Sequence, residues 1–147
     1  MDEAKFITLD NGLTILIYTD RSKSTNHMEL FTFYGGNYSS YIDYNGKKRN
    51  IKEGSAHLLE HYVCENTVSG DLLDNLRKYN VLSCNAGTSA FNTSYFFNTV
   101  CNFYECLDTF LDGIYNVSFT DENLNKTKYA VLNEIRDSQN DEERRIA

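Results

Sequence analysis

The chain has 147 residues, of which 41% are hydrophobic and 24% are charged, a composition that supports one folded domain and excludes a disordered chain. Its formal net charge of −7 disfavours binding to the phosphate backbones of nucleic acids. No apolar run approaches the roughly 20 residues of a membrane-spanning helix, and the start of the chain lacks the pattern of a secretory signal. Four cysteines without a C-x-x-C pair favour reduced thiols in a cytoplasmic protein with no membrane partner.

The first part of the chain is dominated by short strand patterns and turns. Residues 5–9 predict a strand, Asn11-Gly12 predicts a type I′ hairpin turn, and residues 13–17 alternate as a second strand. Residues 28–34 predict a third strand. The polar stretch 37–53, rich in Asn, Ser, Lys and Gly, predicts a loop.

The middle of the chain predicts two helices followed by a strand pair. A helix is expected from about Ser55 to Cys64, and a shorter one over 71–79 with Ser69 as its cap. Residues 81–89 and 92–100 are rich in β-branched and aromatic residues, which is typical of paired antiparallel strands.

Two helices complete the predicted order. Asn102 and Glu105 resemble a capping box, and the last helix starts after Thr120. The apolar positions expected to face inward are Leu107, Phe110, Leu111 and Ile114 in the first helix and Leu124, Val131, Leu132 and Ile135 in the second. Strands that pair locally, followed by helices, predict a single α+β domain.

Smaller signals have plain structural interpretations. We expect Cys101 and Cys106 to pack in the core, and Tyr95-Phe96-Phe97 to form the buried part of a strand. The charged stretch 141–145 is most simply a solvated helix end.

The segment His57-Leu58-Leu59-Glu60-His61 is the strongest chemical signal. Four-residue spacing places both imidazoles on one face of a helix, where they can reach one metal ion. Glu60 projects from nearly the same face and suits a general base that takes a proton from water. The order H-x-x-E-H is the reverse of the common zinc-peptidase motif and predicts a third ligand from elsewhere in the chain.

Glu134 is the candidate for that third ligand. It interrupts an apolar context in the last predicted helix, where a carboxylate near a core face needs a partner such as a metal. Two alternatives stay open. Exposed His and Glu residues on a helix are common without a metal, and a closed structural zinc site would add a fourth protein ligand such as Cys64.

The surroundings of the motif resemble the insulinase/pitrilysin family of zinc peptidases, which includes the mitochondrial processing peptidases. The similar segments occur in the family's order and are Leu9 to Leu13, Gly54 to His61, Asn85-Ala86-Gly87-Thr88-Ser89 and Val131 to Ile135. Residues 95–104 and 119–134 most resemble compact bacterial members. One departure is Thr127, because family members often have a supporting Glu seven residues before the distal one.

The resemblance implies an antiparallel sheet with helices packed on one face, as the N-terminal part, residues 1–147, of one insulinase-like domain. It implies Zn²⁺ held by His57, His61 and Glu134, and hydrolysis of peptide bonds with Glu60 as general base. It further implies an extended peptide substrate near Asn85 and Ala86, and a second insulinase-like domain or subunit that completes the chamber. The alternative function is that of a non-catalytic homologue or fragment that acts as a structural or binding partner of a peptidase.

Overall fold

The structure, a computed structural model, describes residues 3–140. The strands within this range are β1 Glu3–Thr8, β2 Thr14–Thr19, β3 Asn26–Thr32, β4 Ser40–Ile42, β5 Lys48–Asn50, β6 Ser83–Thr88 and β7 Thr93–Thr99. The helices are α1 Ser55–Glu65, α2 Leu72–Arg77, α3 Phe103–Tyr115 and α4 Asp121–Asn140. The predicted solvated helix end at 141–145 lies outside the described residues.

The central element is a three-stranded antiparallel sheet in the order β3-β7-β6. Tyr95 of β7 lies opposite Leu30 of β3 on one side and Ala86 of β6 on the other. Strands β1 and β2 form a hairpin of their own around Asn11-Gly12. The predicted α+β fold is therefore confirmed.

The predicted type I′ turn was wrong, because Gly12 has a positive φ of 88° but Asn11 does not. The Asn11 side-chain oxygen instead accepts a hydrogen bond from the backbone nitrogen of Leu13, a local side-chain contact that the residue pair alone does not reveal.

The core lies between β7 and the helices. Burial alternates along β7, so Tyr95 and Phe97 point to the same buried face, as the two-residue period of a strand requires. That face packs in one cluster with residues from all of the first three helices: Cys64, Leu72, Leu76, Cys106 and Phe110. This cluster confirms the expected packing of helices on one face of the sheet and the expected burial of Cys106.

The prediction of a loop over 37–53 was wrong in part, because β4 and β5 form a short hairpin there. Asp43 organises its turn. One carboxylate oxygen accepts hydrogen bonds from the backbone nitrogens of Asn45 and Lys47, and the other accepts one from Arg49. A turn held by a side chain leaves no apolar pattern in the sequence, so the polar composition concealed the strands.

Both predicted helix caps were also wrong. Asp71, not Ser69, caps α2 by accepting a hydrogen bond of 2.8 Å from the backbone nitrogen of Asp74. Asn102 precedes α3 in the left-handed conformation, with φ at 56°, and makes no side-chain cap. Its side-chain amide donates instead to the carbonyl of Tyr79, so tertiary contact has replaced the local capping box.

Three residues predicted to be buried are exposed. Leu132 and Ile135 of α4 are 47% and 38% exposed, because α4 meets α1 along a stripe that contains the buried Thr127 and Val131 instead. Cys101 is exposed because it lies in the turn between β7 and α3. Among the helices of residues 3–140, none has both the length and the apolar character needed to cross a bilayer.

Tyr62 joins α1 to the segment that leads into α4. Its hydroxyl donates to the carbonyl of Ser118 at 2.9 Å and accepts from the backbone nitrogen of Thr120 at 2.9 Å. Its buried ring stacks on Phe119, with the two ring centroids 5.0 Å apart. These contacts fix the start of α4 against α1, which determines where the residues further along α4 lie.

Candidate metal centre

His57 and His61 lie one turn apart on α1, as their spacing predicted. The chain enters this helix through Gly54, whose φ of 79° is readily adopted only by glycine. Both histidines are half-buried. Their Nε2 atoms lie 3.1 Å apart, so the two imidazoles converge on one point.

Glu134 reaches the same point from α4. Its Oε2 lies 3.1 Å from Nε2 of His61 and 3.6 Å from Nε2 of His57. Val131, three residues earlier and buried, packs on the same side of α4, as helical spacing requires. The Glu134 side chain is 53% exposed, so the expectation of a carboxylate close to the core was wrong, because α4 packs mainly against α1 in the described part of the chain.

The spacing of these three atoms fits a zinc ion. Tetrahedral ligands at ordinary Zn–N and Zn–O lengths lie roughly 3.3 Å from one another, and the three observed separations are 3.1, 3.1 and 3.6 Å. Imidazole nitrogens and a carboxylate oxygen are also the donor types that zinc prefers. Within residues 3–140, these three side chains form the one such donor cluster of at least three residues.

Glu60 lies beside this cluster without joining it. The residue is 8% exposed, and its Oε2 accepts a hydrogen bond of 2.8 Å from the hydroxyl of Thr88 on β6. The Thr88 oxygen lies 3.2 Å from the hydroxyl of Thr93, which donates to the carbonyl of Tyr34. The Glu60 carboxylate is therefore held in place by the sheet.

Cys64 faces away from the cluster. It packs in the core with Leu72 and Phe97, and burial, followed by the charge of Glu60, raises the pKa of its thiol to about 12. Because its side chain packs in the core and does not belong to the donor cluster, Cys64 is not placed to bind the same metal ion. The described part of the chain thus offers three protein donors at this point, as in open catalytic sites.

An open cleft of about 720 Å³ lies over the cluster. Its lining includes His57, Glu60, His61 and Glu134 together with residues of β6. Asn85 and Ala86 are both in that lining, the former exposed and the latter half-buried. The structure therefore brings every predicted site residue to one cleft.

The sequence also matches a known protein family. The sequence model of the insulinase family, peptidase family M16, matches residues 47–147. The chain belongs to the insulinase family. Its match begins before α1 and includes both histidines, Glu60 and Glu134.

Individual relatives are longer than this chain. It is 28% identical over 129 residues to the uncharacterized zinc protease YmfH of Bacillus subtilis (strain 168), a match that covers 86% of this chain and 29% of that protein. The crystal structure of an M16-like peptidase from Alicyclobacillus acidocaldarius superposes with a TM-score of 0.87 at 25% identity, over 98% of this chain and 33% of that one. The crystal structure of a protease from Helicobacter pylori has the same fold, with a TM-score of 0.75 at 20% identity. The match covers 92% of this chain and 31% of that one. The chain thus spans about a third of the length of these insulinase-like relatives.

Two residues that contact the site were not predicted to do so. Thr88 belongs to the Asn-Ala-x-Thr-Ser segment, but its hydrogen bond to Glu60 depends on how β6 packs against α1. Glu65 lies one helical turn after His61, and its Oε1 is 3.4 Å from Nδ1 of that ring. Their four-residue spacing was a visible signal for this second contact.

Proposed function

We propose that the full-length protein is a zinc metalloendopeptidase in which His57, His61 and Glu134 hold the metal and Glu60 is the general base. The observation that carries this proposal is the convergence of two imidazole nitrogens and one carboxylate oxygen at 3.1 to 3.6 Å, with a further buried carboxylate in the same cleft.

Each residue has a defined part in hydrolysis. A bound zinc ion would lower the pKa of water and polarise the substrate carbonyl. The Glu60 carboxylate would take the proton from the attacking water and deliver it to the nitrogen of the leaving amine. Thr88 would keep that carboxylate in one orientation, because its hydroxyl already donates to Oε2. The proton would therefore move from the water to a carboxylate held in one place, and from there to the leaving amine.

The substrate would bind as an extended peptide. Strand β6 is at the end of the β3-β7-β6 order, so its outer edge is free for a further strand within the described residues. This edge borders the cleft through Asn85 and Ala86. A peptide added along it would gain backbone hydrogen bonds and pass over the metal-binding residues.

We further propose that residues 1–147 form the N-terminal part of one insulinase-like domain, and that a second domain or subunit closes the chamber. The open cleft and the relatives' greater length support this. The alternative, a non-catalytic homologue, is disfavoured because His57, Glu60, His61 and Glu134 are all present and arranged together.

Metal removal tests the proposal. The purified full-length protein is expected to contain about one zinc ion per chain, and a strong chelator is expected to abolish its hydrolysis of a fluorogenic peptide mixture. Added Zn²⁺ should restore activity, whereas Mg²⁺, the control, should not, because it prefers oxygen ligands. Hydrolysis that persists after complete zinc removal would exclude the mechanism.

A further inference from the structure

The edge of the His61 ring that points away from the cluster contacts the carboxylate of Glu65. Its Nε2 faces His57 and Glu134, and its Nδ1 lies 3.4 Å from Oε1 of Glu65. Glu65 is the last residue of α1 and does not line the cleft. It is therefore placed to act on the ring of His61 and not on a substrate.

Glu65 is itself held by a buried residue of α4. The hydroxyl of Thr127 donates to Oε2 of Glu65 at 2.9 Å, and Thr127 is 1% exposed. The Asn66 amide donates to the Thr127 oxygen at 3.3 Å and to the carbonyl of Tyr62 at 3.1 Å. Each Glu65 oxygen thus has its own partner, one on α1 and one on α4.

The two histidines differ in whether their Nδ1 atoms have a partner. Among residues 3–140, no side chain or backbone carbonyl makes a hydrogen bond with Nδ1 of His57, whereas Nδ1 of His61 faces Glu65. A carboxylate at the distal nitrogen of a metal-binding histidine fixes the ring and its tautomer. His61 is the ligand that this arrangement orients.

We propose that Glu65 is a positioning residue that keeps the proton of His61 on Nδ1, so that the lone pair of Nε2 points toward His57 and Glu134. Thr127 anchors Glu65 and joins α4, the helix that carries Glu134, to the same network. This inference rests on the proposed function, because it requires His61 to bind the metal. It also gives a structural role to Thr127, which occupies the position where the resemblance to the insulinase family predicts a supporting Glu.

Zinc affinity, measured by competition with a chelating dye, tests the positioning role in the full-length protein. Glu65→Leu is expected to weaken zinc binding by about 10- to 100-fold, the usual effect of losing an outer partner of a ligand. Glu65→Gln should lose less, since its carbonyl oxygen can still accept a hydrogen bond from Nδ1. Thr127→Val should also weaken binding, and it tests the same network should Glu65→Leu fail to fold.

The matched control is Glu29→Leu. Glu29 forms a similar contact with His27, 3.5 Å long, and neither residue lines the cleft, so its loss should leave zinc affinity unchanged. Unaltered affinity in both Glu65→Leu and Thr127→Val, alongside a wild type that binds zinc, would overturn the positioning role alone. A wild type that binds no zinc would overturn the proposed function and this inference with it.

Discussion

Glu60→Gln is expected to lower kcat for peptide hydrolysis by about 10²- to 10⁴-fold, the usual contribution of a general base, while zinc stays bound. Glutamine has nearly the same shape, and its carbonyl oxygen can still accept the hydrogen bond from Thr88. It cannot take a proton from water, so the chemical step should fail without loss of the fold. The measurement is steady-state cleavage by the full-length protein, with zinc content determined on the same sample.

The control for this variant is Glu53→Gln. Glu53 is exposed, lies before α1 and is outside the cleft lining, so the same chemical change there should leave kcat and KM unchanged. Unchanged cleavage in Glu60→Gln would contradict the role of Glu60 as general base. Loss of zinc from that variant would show that Glu60 supports the metal and would contradict its separate catalytic role.

Replacement of any one of the three proposed ligands is expected to have a different signature. Each of three variants should weaken zinc binding by more than roughly 100-fold, which exceeds the usual effect of losing an outer partner: His57→Ala, His61→Ala and Glu134→Ala. The reason is that only two of the three protein ligands would remain. Activity at limiting zinc should fall in parallel. Competition with a chelating dye measures the affinity, and the contrast with Glu60→Gln separates binding of metal from catalysis.

His27→Ala is the control for the histidine variants. His27 contacts Glu29 and Asn98 at the start of β3, so it is a His–Glu pair outside the proposed site and its loss should not change zinc affinity. Glu134→Ala decides between two interpretations of the cluster. Wild-type affinity in that variant would mean that Glu134 forms only an ion pair with the histidines.

The features that were predicted correctly from the sequence are those that depend on residues close together in the chain. The convergence of His57 and His61 follows from helical spacing alone, and the alternation along β7 follows from the strand period. Glu134 is different, because its approach to α1 depends on tertiary packing that no local pattern encodes. The reversed motif order and the apolar surroundings of Glu134 made it the candidate, the resemblance to the insulinase family implied the same ligand, and the geometry is consistent with it.

The features that were missed depend on side-chain contacts between distant or polar segments. The β4–β5 hairpin is organised by Asp43, and the hydrogen bond from Asn102 to Tyr79 replaces a capping box. Helical periodicity identified an apolar face on α4 that includes Leu132 and Ile135, but it could not show which part of that face meets α1. The contact between Thr127 and Glu65 also joins two helices far apart in the sequence.

X-ray absorption at the zinc edge of the full-length protein identifies the atoms that bind the metal. We expect nitrogen and oxygen scatterers at about 2.0–2.2 Å, with the multiple-scattering pattern of two imidazoles, and the loss of one imidazole pattern in His57→Ala and in His61→Ala. A sulfur scatterer at about 2.3 Å, or a spectrum unchanged in both histidine variants, would contradict a zinc site built from His57, His61 and Glu134.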